Sequence, residues 1–159
     1  MSKRSNKIAH TRRIQLDRAL ARLDREALLP PTRGWVRAIR EALGMNGRQL
    51  AQRMRVAPSH VSHIEQGESG GNITIKTLRR AADALDCELV YALVPRAGSL
   101  EQSLHLRARQ VAIALVDRVD AHMALEHQQT SDEARQRLIE STADDLIRTL
   151  DKRIWEPDR

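Results

Sequence analysis

Between residues 35 and 93 apolar positions return at helical intervals, and Gly44, Gly47 and Gly67 cut them into short segments, the pattern of a bundle of short helices. Leu50, Ala51, Met54, Val56, Val61 and Ile64 fall on one inward face, with Ala51 small where two helices must cross. The first helix of the bundle is expected over 35–43. Asn46 is placed to cap the second, residues 59–66 form a short third that Gly67 ends, and Thr74 is placed to cap the fourth. Residues 68–72, Glu-Ser-Gly-Gly-Asn, read as a flexible turn.

The pattern changes on both sides of this bundle. Upstream, Leu16, Leu20, Leu23 and Ala27 make an apolar stripe that predicts an amphipathic helix over 6–28, closed by the breaker Pro30-Pro31-Thr32-Arg33-Gly34. Downstream, residues 87–95 lose the helical period and take on the β-branched and aromatic bias of a strand, stopped by Pro95. A lone strand leaves backbone groups unpaired, so Leu89, Val90, Tyr91, Ala92 and Leu93 are expected to pair with the same strand of a second copy in a two-fold homodimer. Beyond Gly98, one long apolar face from Leu100 to Met123 and another from Ala134 to Ile154, the latter opened by Thr130-Ser131-Asp132-Glu133, predict a helical hairpin. The fold expected is mainly α, a helix-turn-helix bundle with one short strand and flanking helices. Its regions are 1–31, a basic arm and amphipathic helix; 32–96, the bundle with its strand; and 97–159, the hairpin.

Within the bundle the polar side of the third helix has no core to face, which suits entry into a major groove. The run Asn46-Gly47-Arg48-Gln49-Leu50-Ala51-Gln52-Arg53-Met54-Arg55-Val56-Ala57-Pro58-Ser59-His60-Val61-Ser62-His63-Ile64-Glu65-Gln66-Gly67 resembles the Xre/Cro/C1 helix-turn-helix family, over about a third of the chain. The resemblance implies a lambda-repressor-like bundle and a sequence-specific duplex-DNA-binding regulator. It places base-reading positions at Pro58, Ser59 and His63, with His60 and Ser62 on the same side, and phosphate contacts at Asn46, Arg48, Gln49 and Gln66. Lys76 is a further candidate for phosphate. It also implies a structural ion pair between Arg40 and Glu65. The chain departs from the family at Gly47, where a glutamine is often found, and at Pro58, where a polar residue is; proline fits the first turn of a helix but restricts readout there to apolar contact, such as a thymine methyl.

Residues 35–45, Arg48-Gln49-Leu50-Ala51, 78–82 and 85–95 resemble the mobile mystery protein A group, found with a Fic-domain protein, and the helix-then-strand order resembles the repressor-antitoxins of Hip modules. These resemblances imply an autorepressor of its own operon, or alternatively an antitoxin acting by direct contact with a Fic-domain partner. The Ser/Thr-x-x-x-Glu pattern of Fic-inhibitory helices is absent from the sequence.

The net charge of +6 sharpens the picture by its distribution. Residues 1–40 hold 11 Lys/Arg against 3 Asp/Glu, whereas 41–95 hold 6 against 6 and 96–159 hold 10 against 12. Lys3, Arg4, Lys7, Arg12 and Arg13 are therefore expected to act as an arm on phosphate or in a minor groove. With no Phe, one Tyr and two Trp, stacking platforms for single strands are essentially missing, which favours duplex DNA. No cofactor, metal site or enzymatic activity is expected. His60 and His63 lack companion ligands, His105, His122 and His127 read as solvated or packing residues, and the Gly70-Gly71 turn has no phosphate-loop ending. One cysteine, Cys87, and the lack of an apolar run near ~20 residues point to a reduced, cytoplasmic, nucleoid-associated protein that enters no membrane.

Overall fold

The computed structural model describes residues 3–124 and 131–156, with side-chain surroundings over 5–121 and 131–156. His127 and Thr130, and the side chains of Lys3, Arg4, His122 and Met123, lie outside the described residues. Seven α-helices and one 3-10 turn are present among them, and they fall into two compact units.

The first unit, Asp24–Ala92, is the helical bundle. It holds α2 (Trp35–Ala42), α3 (Gly47–Met54), α4 (Pro58–Ser69) and α5 (Ile75–Ala84). Val36, Leu50, Ala51, Met54, Val61, Ile64, Ala81, Ala84 and Leu85 make its core, with Ile39, Met45, Val56, Ile73, Leu78 and Cys87 packed around it. Ala51 and Ala81, both buried, let α3 and α5 approach closely.

Sequence explains where these helices start. Asn46 and Gln49 form a reciprocal capping box, each side chain accepting from the other's backbone N–H at 2.9 and 2.7 Å. Thr74 accepts from the N–H of Thr77 at 3.1 Å, and Pro58 occupies the first turn of α4, where its missing N–H costs nothing. Helix α2 has no local cap. Its first N–H groups, on Trp35 and Val36, donate instead to the two carboxylate oxygens of Glu68, both at 2.9 Å. Gly34 is required beside this contact: its φ is +80°, and a Cβ there would stand 2.6 Å from Glu68 Oε2.

The second unit joins Met1–Leu23 to Leu93–Arg159. Helices α6 (Leu100–Ala124) and α7 (Asp132–Thr149) form the expected hairpin, and the 3-10 turn Lys152–Trp155 folds back on α6. Its core is Leu104, Ala108, Ala112, Val116, Ile139, Ala143, Leu146 and Ile154, where the alanines permit a close crossing. Ser131 caps α7 by accepting from the N–H of Ala134.

Helix α1 (Lys3–Leu20) packs on this hairpin through polar contacts. Asn6 donates to the C-terminal carbonyls of Arg148 and Thr149, Arg13 pairs with Glu101, and Asp17 accepts from the N–H groups of Leu100 and Glu101. One helix thus satisfies backbone groups at the end of α7 and the start of α6.

Three expectations are corrected. The N-terminal helix ends at Leu20 and not near residue 28, because Asp24 Oδ1 accepts from the N–H groups of Glu26 and Ala27, a local turn that competes with helix; Leu16 of the expected stripe is exposed. Gly67 does not end the recognition helix. Helix α4 continues to Ser69, Gly70 caps it, and Gly71 takes the left-handed φ of +69°; at Gly67 a Cβ would meet the carbonyl oxygen of Asn72 at 3.0 Å. Finally, no strand is present among the described residues: Leu89, Val90, Tyr91, Ala92 and Leu93 carry no regular structure, since a strand exists only through a ladder and a single chain supplies no second edge.

Candidate nucleic-acid interface

The turn between α3 and α4 sets the helix-turn-helix geometry. The N–H of Val56 donates to the carbonyl of Ala51 at 3.0 Å and that of Arg55 to Gln52 at 3.1 Å, closing α3 with a Schellman-type stop. Arg55 sits at its left-handed position, φ 55° and ψ 50°. Val56 then anchors in the core, Ala57 is extended, and α4 begins at Pro58.

Helix α4 buries Val61, Ile64 and Glu65, and exposes Pro58, Ser59, His60, Ser62, His63 and Gln66. All the base-reading candidates therefore share the solvent side of one helix. Asn46, Arg48 and Gln49, at the start of α3, are exposed too, as is Lys76 in the first turn of α5. The capping box engages the carbonyl oxygens of Asn46 and Gln49 and leaves their NH2 groups, the donors a phosphate needs, uncommitted by it.

Behind this face stands the ion pair. Arg40 Nε donates to Glu65 Oε1 at 2.6 Å and Nη2 to Oε2 at 3.3 Å, while Nη1 donates to the carbonyl of Met45 at 2.9 Å. The side chains are 12% and 10% exposed, so the pair fixes α4 against α2 and is not itself a contact surface. The hydrogen bond that Arg40 donates to the Glu65 carboxylate raises the Arg40 pKa above its ordinary value. Residues 36–91 match the family model described as helix-turn-helix. This segment is a helix-turn-helix domain of the Xre/Cro/C1 type. It carries the coarse function of such a domain, DNA binding in transcription regulation. The comparison with curated proteins finds no match, and neither does the comparison with solved structures.

The basic N-terminal residues Lys3, Arg4, Lys7, Arg12 and Arg13 lie in helix α1. Lys7 and Arg12 are exposed, but Arg13 Nε is held by Glu101 Oε2 at 2.8 Å, a contact that also draws the Glu101 carboxyl below its usual range. Among the described residues no helix is long and apolar enough to cross a membrane, and no three His, Cys, Asp or Glu side chains gather as metal ligands would.

Two long-range contacts escape the local sequence pattern: Glu68, in α4, caps the start of α2, and Arg53 binds the carbonyl of Ala84 and pairs with Asp86 at 2.7 Å. One signal was present for Glu68. A helix starting at Gly34-Trp35 has no capping side chain of its own, so its donors needed a partner from elsewhere.

Proposed function

We propose that the chain is a dimeric, sequence-specific transcriptional repressor of its own operon, a binding protein without catalytic activity. The observation that carries this reading is the solvent-facing side of α4, where the polar Ser59, His60, Ser62 and His63 follow Pro58, on a helix fixed from behind by Arg40 and Glu65. Base edges in the major groove are read by such short donors and acceptors, and exposed Arg48 and Lys76 add the phosphate contacts that set register.

The dimer rests on residues 89–93. Val90, Tyr91 and Leu93 are 67%, 65% and 89% exposed, a concentration of apolar surface in a stretch with no ladder of its own. Pairing with a second copy would cover it and supply the missing edge. The test is protection of DNA immediately upstream of the gene by purified full-length protein, with light scattering for its mass. A protected, two-fold-related pair of half-sites supports the reading; equal binding to every duplex overturns the sequence-specific part.

A second reading, antitoxin action on a Fic-domain partner, is favoured by the exposed Leu106, Val119, Leu138 and Trp155 on the hairpin unit, apolar surface that suits a protein better than phosphate. Failure of the Fic protein encoded beside it, if one is, to co-purify with the chain would remove this reading.

A further inference from the structure

Three residues other than glycine take left-handed backbone angles among the described residues: Arg55 at φ 55°, Asp86 at φ 56° and Leu150 at φ 48°. Each is disfavoured there relative to glycine, because the Cβ crowds the following carbonyl. For two of them the side chain makes a contact within the protein. Asp86 accepts from Arg53 at 2.7 Å, and Leu150 packs on the hairpin core. Arg55 makes no side-chain hydrogen bond or ion pair among the described residues, and it is exposed. Its left-handed angle goes with the hydrogen bond that the N–H of Val56 donates to the carbonyl of Ala51, a helix stop that glycine would make without the Cβ strain.

A strained, exposed arginine with no hydrogen-bond or ion-pair partner among the described residues is open to a partner outside the fold. Arg55 stands three residues before Pro58, in the turn that delivers the first residues of the recognition helix. There a guanidinium would meet the sugar-phosphate edge of the groove that α4 enters, and its fork of donors matches phosphate oxygens. We infer that Arg55 is a phosphate-binding residue of the duplex interface, held in a strained turn at a cost in stability to the helix-turn-helix domain. This inference rests on the DNA-binding reading above.

The test uses the full chain and a mixed-sequence DNA duplex titrated over a range of salt, beside thermal unfolding of the same preparations. Arg55→Gly is expected to melt no lower than the parent, yet to bind more weakly, with the slope of log K against log salt less steep by about 0.9, the value of one phosphate contact. Arg55→Lys should keep most of that slope. Arg55→Asn, which tolerates the left-handed region, repeats the loss without glycine's added chain freedom. Arg137→Gln, which removes an exposed arginine of the other unit, controls for net charge. A parent slope near zero would overturn the DNA reading and this inference together. A steep parent slope left unchanged in both Arg55→Gly and Arg55→Asn, or lost equally in Arg137→Gln, would overturn this inference alone. A lower melting temperature in both Arg55→Gly and Arg55→Asn would make Arg55 a structural residue and overturn it as well.

Discussion

The carboxylate of Asp17 accepts from the backbone N–H of Leu100 at 2.7 Å and of Glu101 at 3.2 Å, so helix α1 caps the start of a helix far along the chain. The Ser99 hydroxyl oxygen accepts from the N–H of Gln102 there, at 3.0 Å, and Asp17 takes the two donors before it. Negative charge at that position also complements the helix dipole. Replacing Asp17 by Ala leaves two donors without this acceptor and is expected to lower unfolding stability by about 1 kcal/mol. Asp17→Asn should recover part of the loss, measured by urea titration of both variants.

Acid should loosen the same unit. The hydrogen bond from Arg13 lowers the Glu101 pKa below its ordinary 4.5, and the hydrogen bond from Arg153 lowers that of Asp151 from 3.8 to about 2. A carboxyl depressed in the folded state contributes stability that is fully present above its unfolded value and is lost as pH falls through the folded one. Urea midpoints should therefore hold steady above about pH 5 and decline from about pH 4.5 toward 2. Arg153→Gln should flatten the lower part of that decline, and an unaltered profile would show that Asp151 does not drive it.

The Arg40–Glu65 pair should behave as a buried ion pair. Arg40→Met or Glu65→Leu alone strands the opposite charge and is expected to cost about 3 kcal/mol, whereas the double variant should recover much of it because neither charge remains. Guanidinium titrations of the parent, singles and double measure this directly. Equal losses in all three would mean that the pair itself carries the stability.

How far these features were legible depends on the distance between partners. The caps at Asn46 and Thr74 could be read because donor and acceptor lie three residues apart. The Arg40–Glu65 pair spans 25 positions and was accessible only through family resemblance. Asp17, Asn6 and Glu68 each act across a greater separation, and nothing in local periodicity marks them. Gly67 misled for a related reason: local rules give glycine a stop, while here it is small because the carbonyl of Asn72 lies against it. The N-terminal helix was misjudged because its packing face is polar, Asn6, Arg13 and Asp17, whereas a hydrophobic stripe identifies only faces that bury carbon.

The segment 89–93 can be tested through assembly. If it pairs with a second copy, Val90→Pro or Tyr91→Pro removes a ladder donor and should give monomers with poor affinity for the upstream site. Because the stretch belongs to no helix and Val90 and Tyr91 are mostly exposed, neither change should alter helical circular dichroism. Variants that stay dimeric by light scattering would move the dimer contact elsewhere on the molecule.

Recognition itself divides into two kinds of contact with different signatures. Ser59→Ala and His63→Ala, on the exposed side of α4, should each weaken binding to the specific site by about 1 to 3 kcal/mol and leave binding to unrelated duplexes unchanged. Neither side chain packs in the core, so thermal unfolding should not move. Arg48→Ala, at the start of α3, should instead weaken all duplexes alike and reduce the salt slope by about 0.9, since phosphate carries no base information. Competition titrations with specific and unrelated DNA separate the two patterns. If Ser59→Ala and His63→Ala lose affinity for both DNAs equally, α4 touches backbone only and base readout lies on another element.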